Sequence, residues 1–203
     1  PCRFDGAVPP GAADARAQLG LDPSRKTLFV FGGSQGAVSL NMAAVDFCVK
    51  NRADAGLQVL LIAGPKNFDT LKKEYDEKLA GAKIAVNILP YCEKMDLAYA
   101  ASDLVLARAG ATTITEIMCV GAAAELVPCP FAAEGHQEKN ARVLADAGAA
   151  EMILDAEVKK GAAIEPLSQL LRDDARRARM CEKSKSLFRA GAADNMARVL
   201  LGL

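Results

Sequence analysis

Short apolar runs alternate with longer stretches of helical periodicity along most of this chain, and that alternation restricts the fold more than any other feature. Residues 27–31 are apolar and partly β-branched, too short for a helix, and read as a buried strand. Helical spacing follows at 38–52. The pairing recurs as 57–62, stopped by Gly64-Pro65, then 68–80; as 84–88, then 94–101; and as 104–107, then 113–120. It recurs again as 125–127, closed by Pro128, then 136–147, ended by Gly148. A sixth strand is predicted at 151–154, and 164–203 reads as mostly helix with a break near Gly191. This spacing implies βαβ units and therefore an α/β fold with a parallel sheet covered on both faces. Right-handed crossovers make it a Rossmann-like, doubly wound sheet. Ligands of such sheets lie beyond the carboxyl ends of the strands. The loops at that rim are 32–37, 64–67, 89–94, 108–113 and 129–137.

The 203 residues, 51% of them hydrophobic, fit one domain or one large half of a two-domain protein. Such a chain buries a core without disulfide or metal staples. Lys and Arg total 25 and are balanced by 25 Asp and Glu, so there is no overall positive field to gather nucleic acid. Six scattered cysteines without a Cys-x-x-Cys pair read as reduced thiols of a cytosolic protein. A single histidine, His136, argues against a clustered zinc site. No apolar run approaches the about 20 residues that span a bilayer. Residues 1–25, rich in Pro, Gly and Ala, are expected to form a leading segment or linker with a short helix near 13–20, and residues 26–203 the domain itself.

Two of the rim loops are rich in glycine or hydroxyl residues. Gly32-Gly33-Ser34-Gln35-Gly36-Ala37 lacks the third glycine of a dinucleotide fingerprint and the lysine of a P-loop. Its glycines allow a tight turn and close approach of a ligand, and the Ser34 hydroxyl can donate to an oxyanion; the same loop also reads as a plain strand–helix turn. Gly110-Ala111-Thr112-Thr113-Ile114-Thr115-Glu116 opens a helix, where backbone N–H groups and the helix dipole hold phosphate. Thr113-x-x-Glu116 fits a capping box, with Thr113 as the cap and Glu116 folded back onto it. It equally fits a phosphate site at Ala111, Thr112 and Thr113, with Glu116 accepting from two ribose hydroxyls. Two such loops in one domain suggest a ligand made of a nucleoside, a diphosphate and an attached group.

Gln137 and Asn140, at the start of the helix after Pro128, offer uncharged partners for sugar hydroxyls. His136 beside them has the pKa of a general base, but a lone His is more often structural, and no catalytic role is assigned to it. The backbone of Tyr91-Cys92-Glu93-Lys94-Met95 can pair with a base edge. Residues 173–177, Asp-Asp-Ala-Arg-Arg, read as a solvated helix face.

Taken together these motifs resemble the MurG family, the bacterial N-acetylglucosaminyltransferases that make lipid II in peptidoglycan synthesis. The residues that carry the resemblance are the 32–37 loop with Leu40-Asn41, Arg108-Ala109-Gly110-Ala111 with Thr113 and Glu116, Val127-Pro128, His136-Gln137 with Asn140-Ala141, and Gly148-Ala149-Ala150. The resemblance implies a GT-B architecture of two Rossmann-like domains, of which this chain is similar to the C-terminal, donor-binding half. It implies that Arg3 and Ser34, with Gln35 and Gly36 of the same loop, lie near the diphosphate of UDP-GlcNAc. It further implies uracil at the Cys92 backbone, the α-phosphate at Ala111, Thr112, Thr113, Ile114 and Thr115, ribose at Glu116, and GlcNAc at Gln137 and Asn140. The implied reaction is inverting transfer to the 4-hydroxyl of the muramyl sugar of lipid I, with no cofactor or essential metal and no catalytic residue in this half. Acceptor, base and membrane contact would belong to an N-terminal half that these residues do not include, on the cytoplasmic face of the inner membrane, so this chain alone is expected to be inactive. The chain departs from the family at Ala109, where Ser is frequent, and at 120–125, where the family has Gly-x-Pro before an apolar strand. Glu125 would be costly to bury there unpaired. A UDP-GlcNAc 2-epimerase is a rival reading, against which the single His counts; a non-catalytic donor subunit of a split transferase is another.

Overall fold

The computed structural model describes residues 2–33 and 35–202; the Ser34 expectation lies outside the described residues. Six strands, β1 (Lys26–Phe31), β2 (Leu57–Ile62), β3 (Ala85–Leu89), β4 (Leu104–Ala107), β5 (Ala124–Leu126) and β6 (Ala150–Met152), form one sheet. Every pairing is parallel and the order is β3-β2-β1-β4-β5-β6. The helices are α1 (Ala12–Gln18), α2 (Val38–Lys50), α3 (Phe68–Lys78), α4 (Met95–Ala101), α5 (Ala111–Val120), α6 (His136–Asp146), α7 (Asp155–Val158), α8 (Ile164–Arg172), α9 (Asp174–Leu187) and α10 (Ala192–Leu201). Among the described residues no helix is long and apolar enough to cross a membrane.

The alternation of β1 builds both cores. Leu28 and Val30 face a cluster that includes Leu40 and Phe47 of α2 and Leu167 and Leu170 of α8. Phe29 and Phe31 face the opposite cluster, with Leu97 and Tyr99 of α4, Ile117 of α5 and Leu144 of α6. The sheet grows outward from β1 to β3, then reverses, so that β4 pairs with the other side of β1. The following helices, α2 and α5, consequently cover opposite faces, and the carboxyl ends of β1 and β4 open a crevice between them. Both loops singled out in the sequence emerge there.

Strands β2 and β4 coincide with the sequence expectation. The sixth strand is three residues long and begins at Ala150, although Ile153 N–H still donates to Leu126 O at 3.0 Å before the chain enters α7. The long C-terminal helix is interrupted at Asp173 as well as near Gly191, because Asp173 caps α9, its Oδ1 accepting from Arg176 N at 2.8 Å. The 173–177 run is therefore only partly the solvated face it resembled: Arg177 is buried, donates to Leu170 O and pairs with Asp174. Arg16 of α1 is also buried, its Nε donating to Ala101 O at 2.9 Å and its Nη2 pairing with Asp103 at 2.6 Å. These bonds fasten α1 to the end of α4.

Glu125 is 1% exposed in β5, and neither carboxylate oxygen has a hydrogen-bond partner among the described residues. Burial, and secondarily the charge of Glu151 on β6, pushes its carboxyl up to about 8.

Candidate functional site

The crevice between β1 and β4 holds a cavity of about 340 Å³. It is lined by Arg3, Gly33, Tyr91, Cys92, Thr112 and Glu116, among others. Both rim loops thus contribute to one pocket, Gly33 from the first and Thr112 from the second, and the loop after β3 closes a third side. The volume suits a small-molecule ligand.

The first loop owes its shape to two glycines with different tasks. Gly36 has φ +74°, and a Cβ there would stand 2.1 Å from Ala63 O, so the loop is seated on the end of β2. Asn41 Nδ2, at 3.0 Å, and Asn67 Nδ2, at 3.2 Å, donate to the same carbonyl. Gly33 has φ +90° with nothing within 4 Å of a Cβ, and it is this glycine whose backbone borders the cavity. Gly36→Ala is expected to destabilise the fold by about 3 kcal/mol or more, and Gly33→Ala by about 1–2 kcal/mol, because only the first adds a backbone clash to the left-handed strain. Urea unfolding of the two variants checks the difference. Gln35 is exposed, and its carbonyl lies against Gly64 rather than in the cavity.

Helix α5 begins at Ala111, two residues before the expected start, with Gly110 as its N-cap and no side-chain cap. Thr113 is therefore inside the first turn, and the capping-box reading of Thr113 and Glu116 does not hold. The N–H groups of Ala111, Thr112 and Thr113 precede the first intrahelical donor, Ile114 N–H, which bonds Gly110 O at 3.0 Å. Thr112 and Thr113 both line the cavity, so this unfilled end of the helix dipole faces it. Ile114 turns its side chain to the core, and Thr115 Oγ1 donates back to Ala111 O at 2.8 Å.

Glu116 sits one turn deeper, only 3% exposed. Its Oε2 accepts from Tyr99 Oη at 3.1 Å. Burial and the adjacent carboxylate push the Tyr99 phenol well above its ordinary range, so it stays a donor. Tyr99 is itself fixed edge-on to Phe29, at 5.7 Å, and Phe31, at 5.9 Å. Arg3 Nε forms an ion pair with Glu116 Oε1 at 2.7 Å, and Oε1 has no further partner among the described residues. A buried carboxylate oxygen with spare acceptor capacity therefore borders the cavity. Arg3, half-exposed, keeps its terminal nitrogens available. Sequence reasoning missed Tyr99; the signal was a single polar tip in a short apolar helix, since a buried phenol needs a partner.

Cys92 is buried at the cavity wall and Tyr91 beside it is 58% exposed. Gln137 and Asn140 are not among the cavity-lining residues. Gln137 Oε1 accepts from Cys129 N at 3.0 Å, and Asn140 Nδ2 donates to Ala109 O at 3.1 Å, so both brace the loops near the rim. His136 is exposed, with Nδ1 2.6 Å from Ala133 O. Among the described residues no group of three or more His, Cys, Asp or Glu is placed to hold a metal ion.

Beneath the rim lies a polar cluster the sequence did not suggest. Asp155 of α7 pairs with Arg108 at 2.7 Å and Lys159 at 2.8 Å, and accepts from Ser39 Oγ at 2.5 Å. Arg108 also donates to Ser39 Oγ at 2.9 Å and to Pro128 O at 3.1 Å. Burial works to raise the Asp155 carboxyl, but Lys159, Ser39 and Arg108 together hold it down to about 2. Ser39 follows the first rim loop and Arg108 opens the second, so Asp155 joins the two.

The profile of the glycosyltransferase family 28 C-terminal domain matches residues 27–196. The chain is 41% identical over 185 residues to the UDP-N-acetylglucosamine–N-acetylmuramyl-(pentapeptide) pyrophosphoryl-undecaprenol N-acetylglucosamine transferase of Acidothermus cellulolyticus, covering 91% of this chain and 49% of that protein. To the protein of that name from Oenococcus oeni it is 36% identical, with the same coverage. The chain thus spans about half the length of the curated relatives it matches. The crystal structure of Acinetobacter baumannii MurG superposes with a TM-score of 0.80 at 27% identity, covering 97% of this chain and 54% of that one. UDP-GlcNAc 2-epimerase from Neisseria meningitidis shares the fold alone, with a TM-score of 0.62 at 10% identity over 94% of this chain and 48% of that one. The parallel sheet is thus that of GT-B glycosyltransferases, and the chain belongs to the glycosyltransferase family 28 C-terminal domain family.

Proposed function

We propose that this chain binds UDP-GlcNAc and is the donor half of an inverting transferase that passes GlcNAc to lipid I, forming lipid II in peptidoglycan synthesis. The observation that carries the reading is the Glu116 carboxylate, buried at the cavity wall, held by Tyr99 and by an ion pair with Arg3, and left with lone pairs for further donors. Vicinal ribose hydroxyls supply the two donors such a group needs. In this reading the free N–H groups of Ala111, Thr112 and Thr113 receive the α-phosphate and Arg3 the rest of the diphosphate. Uracil lies beside Cys92 against Tyr91. GlcNAc extends toward Gln137 and Asn140, whose other polar atoms remain to meet its hydroxyls. The names of the relatives at 36% and 41% identity support the choice of donor and acceptor.

In the reaction the lipid I 4-hydroxyl oxygen bonds to C1 of GlcNAc from the face opposite UDP, the C1–O bond to UDP breaks, and the hydroxyl proton leaves to a base outside this chain. Charge gathers on the departing diphosphate, where the α5 amides and the Arg3 guanidinium stabilise it without a metal. The relatives' additional length supplies lipid I binding and a peripheral hold on the cytoplasmic membrane face.

Calorimetry tests the donor site. UDP-GlcNAc binds the chain with or without a chelator, and Glu116→Ala weakens binding by about 1–3 kcal/mol, the cost of losing a charged acceptor. Equal affinity of the two proteins would overturn the Glu116 assignment, and no binding by wild type would overturn the donor reading.

A further inference from the structure

We propose that Tyr99, buttressed by Phe4, is a positioning residue that makes this site selective for ribose over deoxyribose by fixing the Glu116 carboxylate; the inference rests on the donor reading above. Four side chains form a closed circuit around that carboxylate. Arg3 Nε meets Glu116 Oε1 at 2.7 Å, and Tyr99 Oη donates to Glu116 Oε2 at 3.1 Å. The Phe4 ring stands edge-on to the Tyr99 ring at 5.9 Å, and the Arg3 guanidinium carbon lies 4.9 Å from the centre of the Phe4 ring. Arg3 and Phe4 belong to the leading segment, Tyr99 to α4 and Glu116 to α5. The circuit therefore exists only in the folded chain, and nothing in α5 alone sets the direction of the carboxylate.

The Tyr99 oxygen is held at one point. The residue is 4% exposed, and its ring stands edge-on to Phe29 at 5.7 Å and to Phe31 at 5.9 Å as well as to Phe4, so the side chain has no room to turn. The backbone beneath it is fastened too. Tyr99 O accepts from Ser102 Oγ at 2.7 Å, and Arg16 Nε donates to Ala101 O at 2.9 Å.

Orientation matters because the ligand group has two donors. A carboxylate offers about four lone-pair directions. Tyr99 and Arg3 take one on each oxygen, which leaves one on each for the ligand. The 2′- and 3′-hydroxyls of a ribose use both at once only if the carboxylate plane is held still, since the terminal torsion of a Glu is otherwise broad. A 2′-deoxyribose has a single hydroxyl there, and one bond forms at many rotations of the plane. Fixing the plane thus favours the diol and gives the single hydroxyl little. A phenol that merely satisfied its own donor would affect both sugars alike.

Calorimetric titration of the chain with UDP and with 2′-deoxy-UDP tests the proposal. Wild type is expected to bind UDP about tenfold more tightly, the effect of one hydrogen bond to a charged acceptor. Tyr99→Phe keeps the ring and its aromatic neighbours. In that variant UDP binding is expected to fall about tenfold and 2′-deoxy-UDP binding only about threefold, so the preference shrinks to about threefold. Phe4→Leu leaves the Glu116 hydrogen bond and ion pair in place but removes the edge behind Tyr99, and it shrinks the preference in the same direction. A Tyr99→Phe protein that keeps the wild-type preference, even with both affinities lowered, would overturn the proposal. An unchanged preference in Phe4→Leu would remove Phe4 from it. Equal binding of the two nucleotides by wild type would refute the selectivity itself. Failure of the donor reading looks different, because wild type then binds neither nucleotide.

Discussion

Replacing Glu125 by Leu is expected to stabilise the chain by about 3–5 kcal/mol at pH 9 and by far less at pH 5. The sign follows from the proton. In the folded chain the carboxyl holds its proton up to about pH 8, whereas its ordinary value is 4.5. Between these limits the folded state binds more protons than the unfolded state, so stability falls as pH rises through the window and levels off above it. Both oxygens lie unpartnered, and alternation along β5 puts Glu125 on the same face as Ala123 and Val127, which join the apolar cluster of Leu104, Leu106 and Met180. Ionisation there leaves a bare charge among hydrocarbon, with Glu151 adding repulsion. Urea unfolding at pH 5, 7 and 9 measures the effect. A wild type whose stability is flat across that range, or a Leu variant with the same slope, would contradict it.

Asp155→Ala is expected to cost about 3–5 kcal/mol at pH 7, because it strands the Arg108 guanidinium in a nearly closed site. Arg108 is 14% exposed in its side chain and Asp155 4%, so water replaces little of what is lost. The double variant with Arg108→Met should recover part of the loss, since it removes the orphaned charge as well. The pH dependence has the opposite sign to that of Glu125. The Asp155 carboxyl sits at about 2, below its ordinary 3.8, so its contribution is present above that ordinary value and disappears as pH falls through about 2. Chemical unfolding of the single and double variants checks the energies. UDP-GlcNAc titration of Asp155→Ala checks the link to the pocket, with weaker binding expected although Asp155 does not line the cavity.

Much of the architecture was legible because it rests on local periodicity. The apolar runs at Leu57–Ile62 and Leu104–Ala107 are bounded by breakers on both sides, and they became β2 and β4 unchanged. The start of α5 was misplaced for a local reason too: Gly110 takes the cap, and the hydroxyls of Thr112 and Thr113 leave the N-terminal amides open. The Thr-x-x-Glu spacing was visible, but it has the same form whether Glu116 folds back to a cap or faces a cavity. The choice depends on Tyr99, which approaches from a separate helix. The Arg108–Asp155–Ser39 cluster was illegible for the same reason: its members are far apart in sequence and meet only through the sheet order. Gln137 and Asn140 look like ligand groups in a linear reading, whereas their bonds to Cys129 and Ala109 show that they also hold the backbone in place.

The order β3-β2-β1-β4-β5-β6 has a consequence for biosynthesis. A ribosome making this chain releases the first rim loop early, but the wall that faces it emerges only after β4 and α5. Joining β4 to β1 must also close a long intervening stretch of backbone, a slow event compared with hairpin or helix formation. A nascent polypeptide stalled before residue 111 would therefore be unable to capture nucleotide, and added ligand would rescue only chains that had already completed that pairing.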